Sequence, residues 1–271
     1  MIPEPRPSSS ICLLRPRADG GCEVLMAQRG AGARFMGGAW VFPGGVVDED
    51  DGAATAREAL DNPDLPDAAW RAAALRELIE EAGVWLAAEP ISMSPAERPH
   101  GAAIYAAAAA APERRLAAGS LRYFSNWITP TVVPIRFDAR FYVAQVTNDV
   151  VGIADGVEMD AVEWVHPDAA LGASRRGEFV LPLPTRRTLR HFARLGTPAA
   201  ILDFASSQAS VPPIQPRLRT DDDGSLRAVL PGEAGYEDLT DDPPDEAALR
   251  GAARVTTLDG EPIPELQRRE D

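Results

Sequence analysis

The chain has 271 residues, 45% of them hydrophobic, and a formal net charge of −14. That length allows one large domain or two small ones with a packed core, and no apolar run reaches the roughly 18 residues that span a bilayer. The acidic balance disfavours nonspecific attachment to nucleic acid or to a membrane surface.

The acidity is unevenly placed. Residues 221–271 hold 15 acidic residues and 5 arginines, so the rest of the chain is only mildly negative. All 27 basic residues are arginine, which fits a GC-rich bacterial genome and carries no mechanistic information. The segment from Met1 to Ser10 lacks the apolar centre of a signal peptide, and the chain ends Arg268-Arg269-Glu270-Asp271 rather than on a peroxisomal tripeptide. A bacterial cytoplasmic location is expected.

In chain order, residues 10–15 and 23–29 read as strands. Cys12 and Cys22, on or beside them, read as small core residues in a reducing compartment rather than as a disulfide. A third strand, Trp40 to Pro43, runs into a glycine turn at Gly44 and Gly45 and then an acidic loop. Residues 59–67 read as a surface loop, after which Asp67 is expected to cap a helix that continues to about Leu86. Residues 102–116 read as helical with a break at Pro112. Strands follow at 124–128, 140–146 and 161–165, then helices at 185–195 and 197–206, separated by Gly196. Residues 207–271 read as a C-terminal extension, a short hairpin near Gly224 followed by a partly ordered acidic tail. Strands and helices interleave, which predicts an α/β fold with a mixed sheet and helices on both faces.

Chemistry concentrates on residues 76–84, Arg-Glu-Leu-Ile-Glu-Glu-Ala-Gly-Val. On a helix Glu80 and Glu81 share a face with Glu77, while Leu75, Leu78, Ile79 and Ala82 lie opposite and supply a core side. Three carboxylates so close repel one another unless a cation sits among them. Oxygen-only ligands suit a hard ion, Mg²⁺ or Mn²⁺, rather than zinc. The plain alternative is a solvated acidic face. Upstream, residues 41–51 read Val-Phe-Pro-Gly-Gly-Val-Val-Asp-Glu-Asp-Asp.

Together the two segments resemble the Nudix box: Gly, five residues, Glu, seven residues, then Arg-Glu-aliphatic-x-Glu-Glu-x-Gly-aliphatic. Gly45 takes the first glycine, and Arg76, Glu77, Leu78, Glu80, Glu81, Gly83 and Val84 match the second half without a departure. That half alone arises by chance on the order of once in ten thousand chains of this length. Asp51 stands where the first glutamate belongs, and 24 residues separate it from Arg76 where the pattern has seven, an insertion of 17. Lengthening a loop this much costs little chain entropy, so the expected casualty is any role for Asp51, not the helix. The domain reading is a Nudix hydrolase domain over residues 8–206, with the insertion at about 52–68, followed by the extension 207–271.

An interrupted box is similar to that of the Nudix branch that includes peroxisomal coenzyme A diphosphatases. Further matching stretches are Gln28-Arg29, Gly32-Ala33-Arg34-Phe35-Met36, Trp127-Ile128-Thr129-Pro130, Arg136-Phe137-Asp138 and Leu230-Pro231-Gly232-Glu233. The resemblance implies an α/β/α sandwich and metal-dependent hydrolysis of a diphosphate linkage in a nucleoside diphosphate derivative, with Mg²⁺ or Mn²⁺ as cofactor. In the coenzyme A case the products are 3′,5′-ADP and a phosphopantetheine species.

On this reading Glu77, Glu80 and Glu81 hold metal, with Gly45 adding a carbonyl. Arg76 orients Glu77, and the general base is Glu80 or Glu158. Arg29, Arg34 and the close-approach turn at Gly44 meet the substrate, with Arg136 and Arg140 as weaker phosphate readers. The three histidines, His100, His166 and His191, show no metal-binding spacing. Alternatives are the same chemistry on ADP-ribose, NADH or another nucleotide, and a nucleotide-sensing regulator that lacks activity. The expected partner is a small nucleotide or coenzyme A substrate, with a homodimer left open.

Overall fold

A computed structural model describes residues 2–33, 36–242, 255–257, 260 and 262–264. Its centre is a mixed sheet built on β1 (Arg6–Pro16), which pairs in parallel with β8 (Phe137–Gln145) along most of its length. The other edge of β1 is shared. Residues 14–16 pair with β2 (Cys22–Arg29), and Ser8 to Ser10 pair with β4 (Gly44–Val46). β2 in turn pairs with β3 (Trp40–Val41) and β9 (Met159–Val165). Beyond β8 come β7 (Arg122–Ile128) and β10 (Pro213–Ile214). The glycine turn therefore enters the sheet beside β1, at the point where β2 leaves it.

Alternation along β1 explains why helices cover both faces. Ile11 and Leu13 point to one side and Cys12 and Leu14 to the other, all fully buried. The first face is covered by α1 (Ala54–Ala59), α2 (Ala68–Ala82) and α3 (Ala102–Ala110). The second is covered by α4 (Pro167–Arg175), α5 (Leu183–Leu195) and α6 (Pro198–Ser207). This is the expected α/β/α arrangement. Leu75, Leu78, Ile79 and Ala82 of α2 are all fully buried, as the helix pattern required. Burying each of the larger three stabilises the fold by about 1.5–3 kcal/mol. Cys12 and Cys22 are free, buried thiols, and burial pushes both upward from the ordinary thiol range.

Several boundaries differ from the sequence reading, each for a local reason. α2 stops at Ala82 rather than near Leu86, because Gly83 adopts the left-handed conformation (φ 67°) and caps the helix. Residues 84–85 instead form β5 (Val84–Trp85), paired with β6 (Ile91–Ser92). A Cβ on Gly83 would lie 2.4 Å from both the Met93 carbonyl oxygen and Arg98 Nη2, so the close approach also demands glycine. Asp67 occupies the N-cap position of α2 without capping through its side chain. Its carboxylate accepts from Arg71 Nε at 2.7 Å and from the Tyr142 hydroxyl at 2.8 Å. α3 ends at Ala110, and Pro112 opens a separate short turn.

The insertion is only partly loop. Residues 54–59 form α1, whose Ala56 and Ala59 pack into the core, and residues 61–64 are exposed. The hairpin near Gly224 is present as β11 (Arg217–Thr220) and β12 (Leu226–Val229), to which β13 (Val255–Thr257) adds in parallel. Leu226, Ala228, Leu230, Val255 and Ile263 lie in the second-face core, so these parts of the extension are packed rather than loose. Residues 243–254, 258–259, 261 and 265–271 of the acidic tail fall outside the described residues. No helix among the described residues is long and apolar enough to cross a membrane.

Candidate active site

Arg76 organises the site. It is 5% exposed, and every guanidinium nitrogen is engaged. Nε and Nη2 donate to the two Asp51 carboxylate oxygens at 2.9 and 3.0 Å, and Nη2 also donates to the Val46 carbonyl at 2.9 Å. Nη1 donates to Glu77 Oε1 at 2.7 Å and to Glu80 Oε2 at 2.9 Å. Burial opposes the charge, but the bond to Asp51 and the fields of Glu77, Asp51 and Glu80 hold the guanidinium firmly protonated. Such a bidentate, enclosed pair is geometrically rigid, unlike a surface ion pair.

Asp51 thus has the role that the insertion had put out of reach. It is 1% exposed and accepts bonds from Arg76, from the Asp48 backbone N–H at 2.7 Å and from the Tyr105 hydroxyl. Burial, then the Asp51 charge, pushes the Tyr105 phenol far upward, so it stays a donor. The inserted chain leaves and returns between Asp51 and Arg76 without separating them.

The three glutamates do not act alike. Glu81 is 3% exposed, and its Oε2 accepts from the Gly44 N–H at 2.8 Å. Burial raises its pKa well above the ordinary carboxyl range; Glu77 and Glu158 add to the rise, while the Gly44 bond and the Arg29 charge oppose it. Glu77 is pushed up to about 7, chiefly by burial against the pull of Arg76, with Glu80 and Glu158 adding repulsion. Glu80 is held at both oxygens. Its Oε2 takes the Arg76 bond, and its Oε1 accepts from the Gly101 N–H at 2.6 Å, with His100 Nδ1 at 3.8 Å.

Glu77, Glu80, Glu81 and Glu158 line one cavity of about 630 Å³, together with Arg98, His100 and Asp155. Glu158, singled out from the sequence, therefore faces the helix carboxylates. Its position is set by a residue the sequence reading passed over: the Asp155 carboxylate accepts from the backbone N–H groups of Val157, Glu158 and Met159. An Asp-Gly pair at 155–156 is an ordinary turn signal, and nothing in it announces a site. Arg98, also unremarked, is 6% exposed and donates to the carbonyls of Glu80 and Ile153 at 3.0 and 2.6 Å. It ties the carbonyl end of α2, where a cation is favoured, to the loop that leads to Asp155.

Gly45 lies against the helix. A Cβ there would sit 2.2 Å from Glu77 Oε1, and one on Gly44 would sit 2.4 Å from the Ser9 carbonyl oxygen. Only a bare backbone lets turn and carboxylate meet. Gly45→Ala should therefore displace Glu77 and lower kcat by at least about a hundredfold while leaving the far-ultraviolet circular dichroism unchanged. Near-normal turnover in that variant would show that the close approach is incidental.

Arg29 ends β2 and lies near enough to Glu81 to favour its charged form, so it faces the carboxylates. Arg34 falls outside the described residues. Arg136 and Arg140 are taken up elsewhere. The Arg136 guanidinium donates to the carbonyls of Thr129 and Pro3, and that of Arg140 lies 3.9 Å over the Trp70 ring. His166 caps α4, and His191 packs on Phe124 and Phe204.

Among the described residues no three His, Cys, Asp or Glu side chains converge as a ready-made metal cage. The donor set nevertheless fits a hard divalent ion. Glu81 is buried and Glu77 largely so, both are repelled by Glu158, and both are oxygen ligands. The Arg76 guanidinium holds Glu77 and Glu80 toward itself, which limits their repulsion without satisfying Glu81.

No family model matches the chain. A curated relative, "Putative nudix hydrolase 7" of Caenorhabditis elegans, is 28% identical over 223 residues, covering 79% of this chain and 70% of the relative. The crystal structure of a NUDIX hydrolase from Alicyclobacillus acidocaldarius superposes with a TM-score of 0.59 at 26% identity, over 79% of this chain and all of that one. In sequence and in fold the chain is similar to Nudix hydrolases, which supports a place in that superfamily. The box pattern falls on α2 and on the turn between β3 and β4, and the relative and the superposed structure support a Nudix diphosphatase.

Proposed function

We propose that this Nudix hydrolase cleaves the diphosphate linkage of coenzyme A or an acyl-CoA, releasing 3′,5′-ADP and a phosphopantetheine product. The observation that carries the reading is the interrupted box. The 17-residue insertion folds as α1 and a loop, yet Asp51 and Arg76 still bond at 2.9 Å. The insertion is thus a built part of the architecture, as in the branch that the chain resembles. The matching stretches at Gln28-Arg29, Trp127 to Pro130 and Leu230 to Glu233 support the same assignment.

In this reading Glu77 and Glu81 hold Mg²⁺ or Mn²⁺, with Glu158 across the cavity and the Gly45 carbonyl as a further oxygen donor. Bound divalent ions neutralise diphosphate charge and lower the pKa of a coordinated water. The chain's own residues do the rest. Arg76 fixes the Glu77 carboxylate, the Gly44 N–H fixes that of Glu81, and Arg29 supplies positive charge beside them for a phosphate oxygen. Glu80 was one candidate for the base, but both of its oxygens are engaged by Arg76 and Gly101. Glu158, carried on the turn that Asp155 holds, is the better placed to take a proton from the attacking water. Glu158→Gln should lower kcat by about 10²–10⁴-fold with KM little changed. A fall in kcat/KM carried by KM alone would remove it from that role.

A panel of coenzyme A, acyl-CoA, ADP-ribose, NADH and nucleoside triphosphates, assayed with Mg²⁺ and with Mn²⁺, tests the substrate. Coenzyme A species should give the highest kcat/KM. Much faster cleavage of ADP-ribose would overturn the branch assignment and leave the diphosphatase chemistry standing.

A further inference from the structure

The opposite face of the sheet carries a second polar concavity that the hydrolytic reading does not use. Arg187, Arg190, His191 and Arg194 of α5 follow one another at helical spacing and line one side of a cavity of about 350 Å³. Ser125 and Trp127 of β7 line the other side. These two side chains are 9% and 5% exposed, and neither Ser125 Oγ nor Trp127 Nε1 has a hydrogen-bond partner among the described residues. Arg187 Nε is likewise unpartnered, although its Nη2 pairs with Glu233 at 3.3 Å.

Ser125 Oγ, Trp127 Nε1 and Arg187 Nε are buried groups able to donate that have no acceptor among the described residues, and the exposed Arg194 guanidinium stands beside them. Buried donors without acceptors are costly, and an anion with several oxygens removes that cost. Arginine is the side chain best shaped for phosphate. The cavity's volume lies at the lower end of the range for small-molecule sites. A basic wall also stands out in a chain whose net charge is −14.

The structure explains as well why Leu230-Pro231-Gly232-Glu233 is a distinct feature of the sequence. Leu230 and Pro231 line the same cavity, and the Glu233 carboxylate bonds both Arg187 and the Leu230 N–H, tying the turn to α5.

We infer that the groove between α5 and β7 is a second ligand site, for a phosphate group, separate from the carboxylate centre on the other face of the sheet. Its occupant is free phosphate or pyrophosphate, or a phosphomonoester whose organic part rests on the Phe124 and Trp127 side. Isothermal titration of the full chain in EDTA, with sodium phosphate, pyrophosphate and AMP as probes, tests it. Saturable binding is expected for at least one probe. Stronger binding of AMP than of phosphate assigns the ester; equal binding assigns the phosphate alone.

The double variant R190Q/R194Q should weaken binding at least about tenfold and leave hydrolysis unchanged. Arg194 is exposed, so R194Q alone serves as a variant that cannot disturb packing, with a smaller loss expected. Glu81→Gln should bind the probe as the parent does. No saturable binding, or binding that is lost in Glu81→Gln and kept in R190Q/R194Q, would overturn the assignment.

Discussion

Glu81→Gln should reduce turnover by on the order of a thousandfold or more, in a protein whose fold is intact. Of the three α2 glutamates Glu81 is the most buried, and it receives one bond from Gly44 while Glu77 and Glu158 repel it. The amide keeps an oxygen for the Gly44 N–H and has nearly the same volume, so packing is retained. It removes the charge that a divalent ion needs. A second readout separates this role from general damage. Mn²⁺ at about a hundred times its dissociation constant should stabilise the parent against unfolding by about 2.7 kcal/mol, and should do little for the variant. A variant that retains both the Mn²⁺-dependent rise in melting temperature and wild-type-like turnover would remove Glu81 from the metal site.

The carboxylate helix was legible in the sequence because its pattern is local. Glu77, Glu80 and Glu81 are fixed by one turn of helix, and Leu75, Leu78 and Ile79 by the core behind it. What each glutamate does was not legible, because it depends on neighbours distant in the chain. Glu80 is claimed by Arg76 and by Gly101 from the start of α3. Arg98 and Asp155 position the helix end and the Glu158 turn through backbone bonds, and such bonds leave no spacing signature. The basic groove combines α5, β7 and the Leu230 turn, three segments that only tertiary folding unites. The strands at 10–15 and 23–29 were legible, but the sharing of β1 between β2 and β4 follows from where the glycine turn must meet Glu77. α1 was missed because its six residues are too few to show a helical period.

The insertion gave reason to discount Asp51, and the structure makes it the residue whose loss should cost the most stability. Asp51→Ala removes two guanidinium bonds, the acceptor of the Tyr105 hydroxyl and the acceptor of the Asp48 N–H. Arg76 would remain buried with Glu77, Glu80 and the more distant, exposed Asp48 carboxylate at 3.7 Å to balance it. Breaking a buried pair from one side typically costs 3–5 kcal/mol, a large share of the roughly 5–15 kcal/mol that holds a domain together. Urea unfolding should show a loss of about that size. Tyr105→Phe removes one donor and should cost only about 1–2 kcal/mol. Asp51→Glu would match the usual box residue, yet it adds a methylene to a site already closed by Tyr105 and Arg76, and overpacking of this kind costs about 1–3 kcal/mol. The order expected is therefore Asp51→Ala worst, with Asp51→Glu and Tyr105→Phe both milder. If Asp51→Glu is neutral or stabilising, the site has room for the longer arm, and the shorter acid is not fitted to Tyr105 and Arg76. If Asp51→Ala is mild, Glu77, Glu80 and Asp48 suffice to hold Arg76, and the bridge across the insertion has no energetic weight.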